Sequence, residues 1–242
     1  MNSASGVQRA IVTGASSGIG RETALAFAQA GIDVALVGRQ TERLEPVAAQ
    51  ARQHGVEAKP YTADLAALES VRERMAAIVA DFTPVDGLIN NAGMGYTNAL
   101  SETSLADWQQ VMDLNLTSPF QCIQGVLPEM RARGQGTIVN VSSIAAQHAF
   151  PGWGPYNVSK AGLIALSKTL AGEEKSHGIR VMTVSPGPVN TPLWDSDTVQ
   201  ADLDRNAMLT PQAVAQSILQ AALLPDHAVV EEMTLMPSAG AL

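Results

Sequence analysis

The octapeptide Thr13-Gly14-Ala15-Ser16-Ser17-Gly18-Ile19-Gly20 carries more about the architecture than any other part of the chain. It follows directly on the apolar run Ala10-Ile11-Val12 and leads into a segment of helical period from Gly18 to Ala30. Strand, glycine turn and helix in that order open a β-α-β unit. The rhythm then repeats. Candidate strands fall at Asp33 to Val37, Ala58 to Thr62, Gly87 to Asn90, Thr137 to Val141, Arg180 to Val184 and Val229 to Met236. Helical segments are expected near 41–53, 67–81, 105–132, 156–175 and 211–223. The crossovers are helix-length and the strands are nearly all apolar, so the sheet should be parallel with helices on both faces, a doubly wound α/β fold. No repeat or linker divides the 242 residues, and their 46% hydrophobic content suffices for one large core, so 1–242 is expected to form a single domain.

A glycine turn between a strand and a helix can bring backbone N–H groups and the positive end of the helix dipole against a diphosphate. Gly14, Gly18 and Gly20 are spaced G-x-x-x-G-x-G, so the position after the first strand matters more than the spacing itself. The second strand ends at Gly38-Arg39, roughly twenty residues on, where a carboxylate would bind the ribose 2′-hydroxyl of NAD. Arg39 suits the extra 2′-phosphate of NADP instead, and Ser16 and Ser17 offer hydroxyl donors to the same group. Asp64, at the end of the third strand, fits either the adenine edge or the N-cap of the following helix.

Tyr156 and Lys160 stand four residues apart in Tyr-Asn-Val-Ser-Lys, on one face of a helix. An ammonium near the phenol favours its ionised form, making a usable proton donor of a group whose ordinary pKa is about 10. Of the neighbouring pair Ser142-Ser143 at the end of a strand, alternation sends only one hydroxyl to the site.

Together with Asn90-Asn91-Ala92-Gly93, Asn115 and Pro186-Gly187 followed by Thr191, these motifs resemble the short-chain dehydrogenases/reductases in their single-domain form, over nearly the whole chain. The resemblance implies a Rossmann fold with a seven-stranded parallel sheet of order 3-2-1-4-5-6-7. It implies hydride transfer between NADP(H) and a carbonyl or secondary alcohol, with Tyr156 as proton donor and Lys160 binding the nicotinamide ribose. Ser143, thirteen residues before Tyr156, would hold the substrate oxygen, and Asn115 a water linking Lys160 to solvent. Ile19, Asn91, Ala92, Gly93, Pro186, Gly187, Val189 and Thr191 would complete the cofactor contacts. A homotetramer, a dimer of dimers, is also implied, and the apolar residues on more than one face of segments 105–132 and 156–175 agree with it.

The substrate is less constrained. Segments 94–100, 144–155 and 188–204 contain no Lys or Arg but offer Met94, Tyr96, Phe150, Trp153, Leu193 and Trp194, with His148 beside them. This favours a neutral, apolar or aromatic ketone or aldehyde, a carbonyl reductase activity, although the same residues could simply pack the loops. Reduction of 3-oxoacyl groups on acyl-carrier protein, or oxidation of 3-hydroxy acids, is the alternative. Against the former, Leu170-Ala171 is followed by Gly172-Glu173-Glu174 where those reductases commonly carry an arginine for the acidic carrier. A non-catalytic NADP(H)-sensing regulator is a reading of a different class. The aperiodic stretch 186–206 is expected to be a substrate lid or a disordered segment.

The net charge of −8 argues against nucleic acid and anionic membranes as partners. Met1 to Gly6 lacks a signal-peptide pattern and no eighteen-residue apolar run occurs. With the lone Cys122, this fits a cytoplasmic protein. His54, His148, His177 and His227 form no metal-ligand spacing, so no metal is expected.

Overall fold

The computed structural model describes residues 6–201 and 203–238. Met1 to Ser5, on which the reading of the amino terminus rests, and Asp202 of the expected lid lie outside the described residues. Seven strands, β1 (Arg9–Thr13), β2 (Asp33–Gly38), β3 (Ala58–Thr62), β4 (Gly87–Asn90), β5 (Gly136–Val141), β6 (Ile179–Pro186) and β7 (Glu232–Leu235), form one sheet. Its order is β3-β2-β1-β4-β5-β6-β7 and every pairing is parallel.

Alternation along the strands builds two cores. Val12, Val34, Leu36, Ile89 and Val184 face one side, packed with residues of α1 (Gly18–Gln29), α2 (Thr41–Arg52) and α7 (Pro211–Ala222). Their neighbours Ile11, Ala35, Val37, Leu88 and Val181 face the other, against α3 (Leu68–Asp81), α5 (Ser118–Arg133) and α6 (Gly154–Glu174). A strand buried on both faces has no polar side, which is why these segments read as continuous apolar runs. The order reverses between β1 and β4, and a crevice opens there beyond the carboxyl ends of the strands.

The expected helix 105–132 is two helices. α4 (Leu105–Met112) and α5 are joined by a π-helical turn over Asp113–Thr117, where the Ser118 N–H donates to the Asp113 carbonyl. Pro119 has no N–H to give the Asn115 carbonyl four residues back, so regular α-helical bonding cannot continue there. The Asn115 side chain is meanwhile anchored to another loop, as described below.

Strand β7 is shorter than expected. Arg180 Nη1 donates to the carbonyls of Leu224 (2.7 Å) and Ala228 (3.1 Å), holding the preceding segment as a loop, and the ladder starts at Glu231. Residues 186–206 are not structureless among the described positions. They contain 3-10 turns at Pro192–Asp195 and Arg205–Ala207, and Arg205 clips them together through Asn190 Oδ1 (2.9 Å) and Asp195 Oδ1 (3.0 Å). No described helix is long and apolar enough to cross a membrane.

Candidate active site

Gly14 and Gly18 adopt positive φ (+66° and +54°), the left-handed region where other residues are strained. A Cβ on Gly14 would stand 2.9 Å from Ala92 Cα, and one on Gly20 would collide with the Gly14 carbonyl and the Asn91 amide. The glycines therefore let α1 seat tightly on β1 and β4. Thr13 Oγ1 accepts from the N–H groups of Asn91 (3.0 Å) and Ala92 (3.1 Å), and Asn91 Nδ2 donates to the Thr13 carbonyl (3.0 Å). Ser17 at the N-cap of α1 makes no side-chain cap bond, and the first turn carries no acidic residue. Unsatisfied N–H groups at a helix start, free of nearby carboxylates, suit a diphosphate.

A cleft of about 900 Å³ runs from this turn across the sheet's carboxyl edge. Gly14, Ser16, Ser17, Gly18, Ile19, Arg39, Asp64, Asn91, Ala92, Gly93, Pro186, Gly187, Val189 and Thr191 all line it. Gly20 does not, and its place is the helix–strand contact just described. Arg39 is joined on the wall by Arg43, which lies in the first turn of α2, and both are exposed. Asp64 lines the cleft but does not cap the following helix: the N-cap of α3 is Ala67, and the Asp64 Oδ1 accepts from Ala66 N–H (3.0 Å) in the turn that precedes it.

At the other end, α6 presents Tyr156 and Lys160 to the cleft beside Ser143 at the end of β5. Ser142 Oγ donates to the Lys160 carbonyl (3.0 Å), tying strand to helix, while Ser143 Oγ accepts from Ala145 N–H (3.1 Å). Lys160 Nζ donates to the Val141 carbonyl (3.0 Å) and lies 5.7 Å from the centroid of the Tyr156 ring. Burial lowers the Lys160 pKa from 10.5 to about 8. For Tyr156 the balance differs from expectation: burial pushes the phenol up, and the Ser143 hydroxyl only partly opposes it.

Asn115 is fully buried behind this wall. Its Oδ1 accepts from Met94 N–H (2.8 Å) and its Nδ2 donates to the Met94 carbonyl (2.9 Å) and to Ser159 Oγ (3.2 Å). It fixes the loop after β4 to α6. A Cβ on Gly93 would come within 3.0 Å of Asn115 Oδ1 and 3.5 Å of Lys160 Nζ, so glycine permits this close packing.

Of the residues anticipated for substrate, Met94, Trp153 and Trp194 line the cleft. Tyr96 and His148 do not. Tyr96 is buried, with its hydroxyl donating to Asp107 Oδ2 (3.2 Å), and so braces α4 instead. His148 is exposed beyond the 3-10 turn Ile144–Ala146. Gln110, Leu114, Leu203 and Met236 also line the cleft, brought there by tertiary packing alone. Arg43 reaches the wall from the first turn of α2, while Arg39 precedes the extended N-cap Gln40, so no helical spacing links the two. Among the described residues no cluster of three or more His, Cys, Asp or Glu is placed to hold a metal ion.

Known proteins resemble this chain in sequence and fold. The 3-oxoacyl-[acyl-carrier-protein] reductase FabG of Staphylococcus epidermidis is 40% identical over 179 residues, covering 74% of this chain and 73% of the relative. An alcohol dehydrogenase of the archaeon Thermococcus sibiricus, solved with 5-hydroxy-NADP, superposes with a TM-score of 0.87 at 29% identity, covering 96% of this chain and 97% of that one. A point variant of actinorhodin polyketide ketoreductase, solved with NADPH, gives 0.86 at 30% identity and 97% coverage of both chains. The sequence pattern of the short chain dehydrogenases matches residues 8–202, and with the seven-stranded order and the cleft described above, the chain belongs to that family of oxidoreductases.

Proposed function

We propose that the protein is an NADP(H)-dependent carbonyl reductase acting on neutral ketones or aldehydes, with the secondary alcohol as product in the reductive direction. The observation that carries this reading is the cleft's charge distribution. Among the described residues, its charged wall residues are Arg39, Arg43 and Asp64 at one end and Lys160 beneath the phenol at the other, with none on the loops above Tyr156.

The cofactor would lie along the cleft with its diphosphate at the Gly14–Gly20 turn and its 2′-phosphate against Arg39, Ser16 and Ser17, the adenine reaching Asp64. Asn91, Ala92 and Gly93 would flank the adenosine ribose, and Pro186, Gly187, Val189 and Thr191 the nicotinamide carboxamide. Bound there, the reduced nicotinamide supplies a hydride to the carbonyl carbon and is itself oxidised. The chain's own residues manage the proton. Ser143 donates a hydrogen bond to the carbonyl oxygen, and Tyr156, held protonated by burial, gives that oxygen its phenolic proton. Lys160 stabilises the resulting phenolate and binds the nicotinamide ribose. Asn115 positions the Gly93–Met94 wall and, through the π-turn carbonyl, a water that resupplies the proton. The turns within 186–206 would act as the lid.

A second reading, reduction of 3-oxoacyl groups on acyl-carrier protein, is favoured by the FabG relative. The carboxyl end of α6 counts against it. Glu174 is buried there with its carboxylate on Arg131 (2.8 Å), so that arginine's charge is already paired, and Glu173 stays exposed. With Lys175 next to Glu173 the charges at this corner cancel, so an acidic carrier would find no net attraction there.

Exposed Phe120 and Val158 on α5 and α6, and Leu105 on α4, support assembly through these helices into a dimer of dimers. NADPH oxidation assayed with a neutral ketone, a 3-oxoacyl-carrier and a 3-oxo acid should be fastest with the ketone. Faster turnover of the carrier-bound substrate would favour the second reading, and NADPH binding without turnover of any of them a sensing role. Light scattering should give a tetramer mass, and a monomer mass at micromolar concentration would contradict the assembly.

A further inference from the structure

Three loops meet over the Tyr156 phenol, and they place aromatic rings there. Trp153, at the N-cap of α6, packs edge-to-face on Tyr156, with centroids 5.4 Å apart and planes at 65°. It makes the same kind of contact with Trp194 of the 186–206 segment, at 5.7 Å and 70°. The Trp194 indole N–H is already used, donating to the Val189 carbonyl at 2.7 Å. Its contribution to the cleft is therefore an apolar ring surface.

These rings are fixed by their surroundings. The Trp153 N–H donates to the Phe150 carbonyl (3.2 Å), its carbonyl accepts from Asn157 N–H (2.8 Å), and Asn98 N–H donates to the adjacent Gly152 carbonyl (2.8 Å). Gly152 takes φ +81°, and a side chain at Gly154 would run into Leu100. On the opposite loop, Thr198 Oγ1 donates to the Gly95 carbonyl (2.7 Å) and Thr97 N–H to the Thr198 carbonyl (2.9 Å). The indole walls are preorganised, so a ligand need not order them.

A flat ring brings two advantages to such a wall. Its positive edge and negative face complement those of the indoles, and it loses little internal freedom when held. A straight alkyl chain gains only contact area and loses rotamers. An ionic group would be desolvated there without a partner among the described residues, whose charged cleft side chains are not on these loops.

Resting on the reading of Tyr156 as proton donor to a carbonyl, the geometry points to a substrate class: ketones and aldehydes bearing an aryl or similarly flat unsaturated group beside the carbonyl. The ring lies against Trp153 and Trp194 while the oxygen meets Ser143 and Tyr156.

The test compares a phenyl ketone with a straight-chain ketone of equal carbon number at saturating NADPH, in the wild type, Trp153→Leu, Trp194→Leu and Trp153→Phe. The wild type should favour the phenyl ketone in kcat/KM by about tenfold or more, each leucine variant should lower that ratio about fivefold, and Trp153→Phe should restore most of it. Saturable quenching of intrinsic tryptophan fluorescence by the phenyl ketone gives a binding readout independent of turnover, and it should weaken in both leucine variants. Equal kcat/KM for the two ketones overturns the inference. So does an equal loss for both substrates in the two leucine variants, which would make the indoles mere supports for Tyr156. A trimethylammonium aldehyde preferred over its neutral analogue would also overturn it, assigning the indoles to cation–π recognition. If quenching is saturable and weakens in the variants but neither ketone oxidises NADPH, the aryl subsite stands and the carbonyl-reductase reading fails.

Discussion

At the glycine-turn end of the cleft the wall is main chain, whereas above Tyr156 it is side chain. Gly14 and Gly18 bring backbone N–H groups forward, and Thr13 and Asn91 lock β1 to β4 behind them. Above the phenol, Trp153, Trp194, Phe150 and Leu193 set the shape from loops that follow different strands. In the function proposed above, the first arrangement would recognise a charge pattern shared by many dinucleotides, and the second a particular molecule. A main-chain site needs glycine at a few fixed positions and so leaves a sharp trace in sequence. A side-chain wall needs only bulk, and many residues supply that.

The proposed roles at the two ends separate under mutation. Tyr156→Phe removes only the proton donor, so turnover should fall about a thousandfold while NADPH affinity holds within a few-fold. Stopped-flow kinetics with a parallel fluorescence titration would check it, and loss of both together would blur the division between the ends.

Lys160→Met tests what the buried ammonium costs. Its pKa falls from 10.5 to about 8 in the folded chain, so the unfolded chain holds the proton more tightly. Below pH 8 wild-type lysine therefore destabilises the fold, the cost shrinks as pH rises through the window from 8 to 10.5, and above 10.5 it is gone. At pH 7 the methionine variant should be more stable by up to about 3 kcal/mol, less the hydrogen bond to Val141. Denaturant unfolding of the cofactor-free protein at pH 7 and pH 10 reads this, with the difference narrowing at the higher pH.

Arg39→Asp should weaken NADPH by about thirtyfold and leave NADH within about threefold, as measured by titration with both nucleotides. Equal losses would show that Arg39 supports the loop instead of reading the phosphate. The smallest effect belongs to His148→Ala, which should change kcat/KM by less than about twofold because the side chain lies outside the cleft.

The doubly wound sheet was legible because the strands inside it, β1, β2, β4, β5 and β6, are buried on both faces and each crossover is helical, so Ile11 and Val12 had to be apolar together. The π turn at Asp113–Thr117 was not, since it is held by contacts of Asn115 with Met94, a residue 21 positions away. Pro119 was its one local trace. Tyr96 misled because an aromatic near the site looks like a pocket wall until its hydroxyl is seen on Asp107. Gln110, Leu114 and Met236 reach the cleft from a helix, the π turn and the chain beyond an edge strand, and no spacing rule links them to Tyr156. Arg43 likewise comes from the first turn of α2, with the extended N-cap Gln40 between it and Arg39.

The central claim is tested most directly by a single turnover of the wild-type enzyme, mixed with stoichiometric NADPH and an excess of a neutral aryl ketone while NADPH absorbance and alcohol product are followed together. One alcohol should form for each NADPH oxidised. NADPH that binds tightly yet stays reduced, with no alcohol formed from any neutral carbonyl offered, would contradict it.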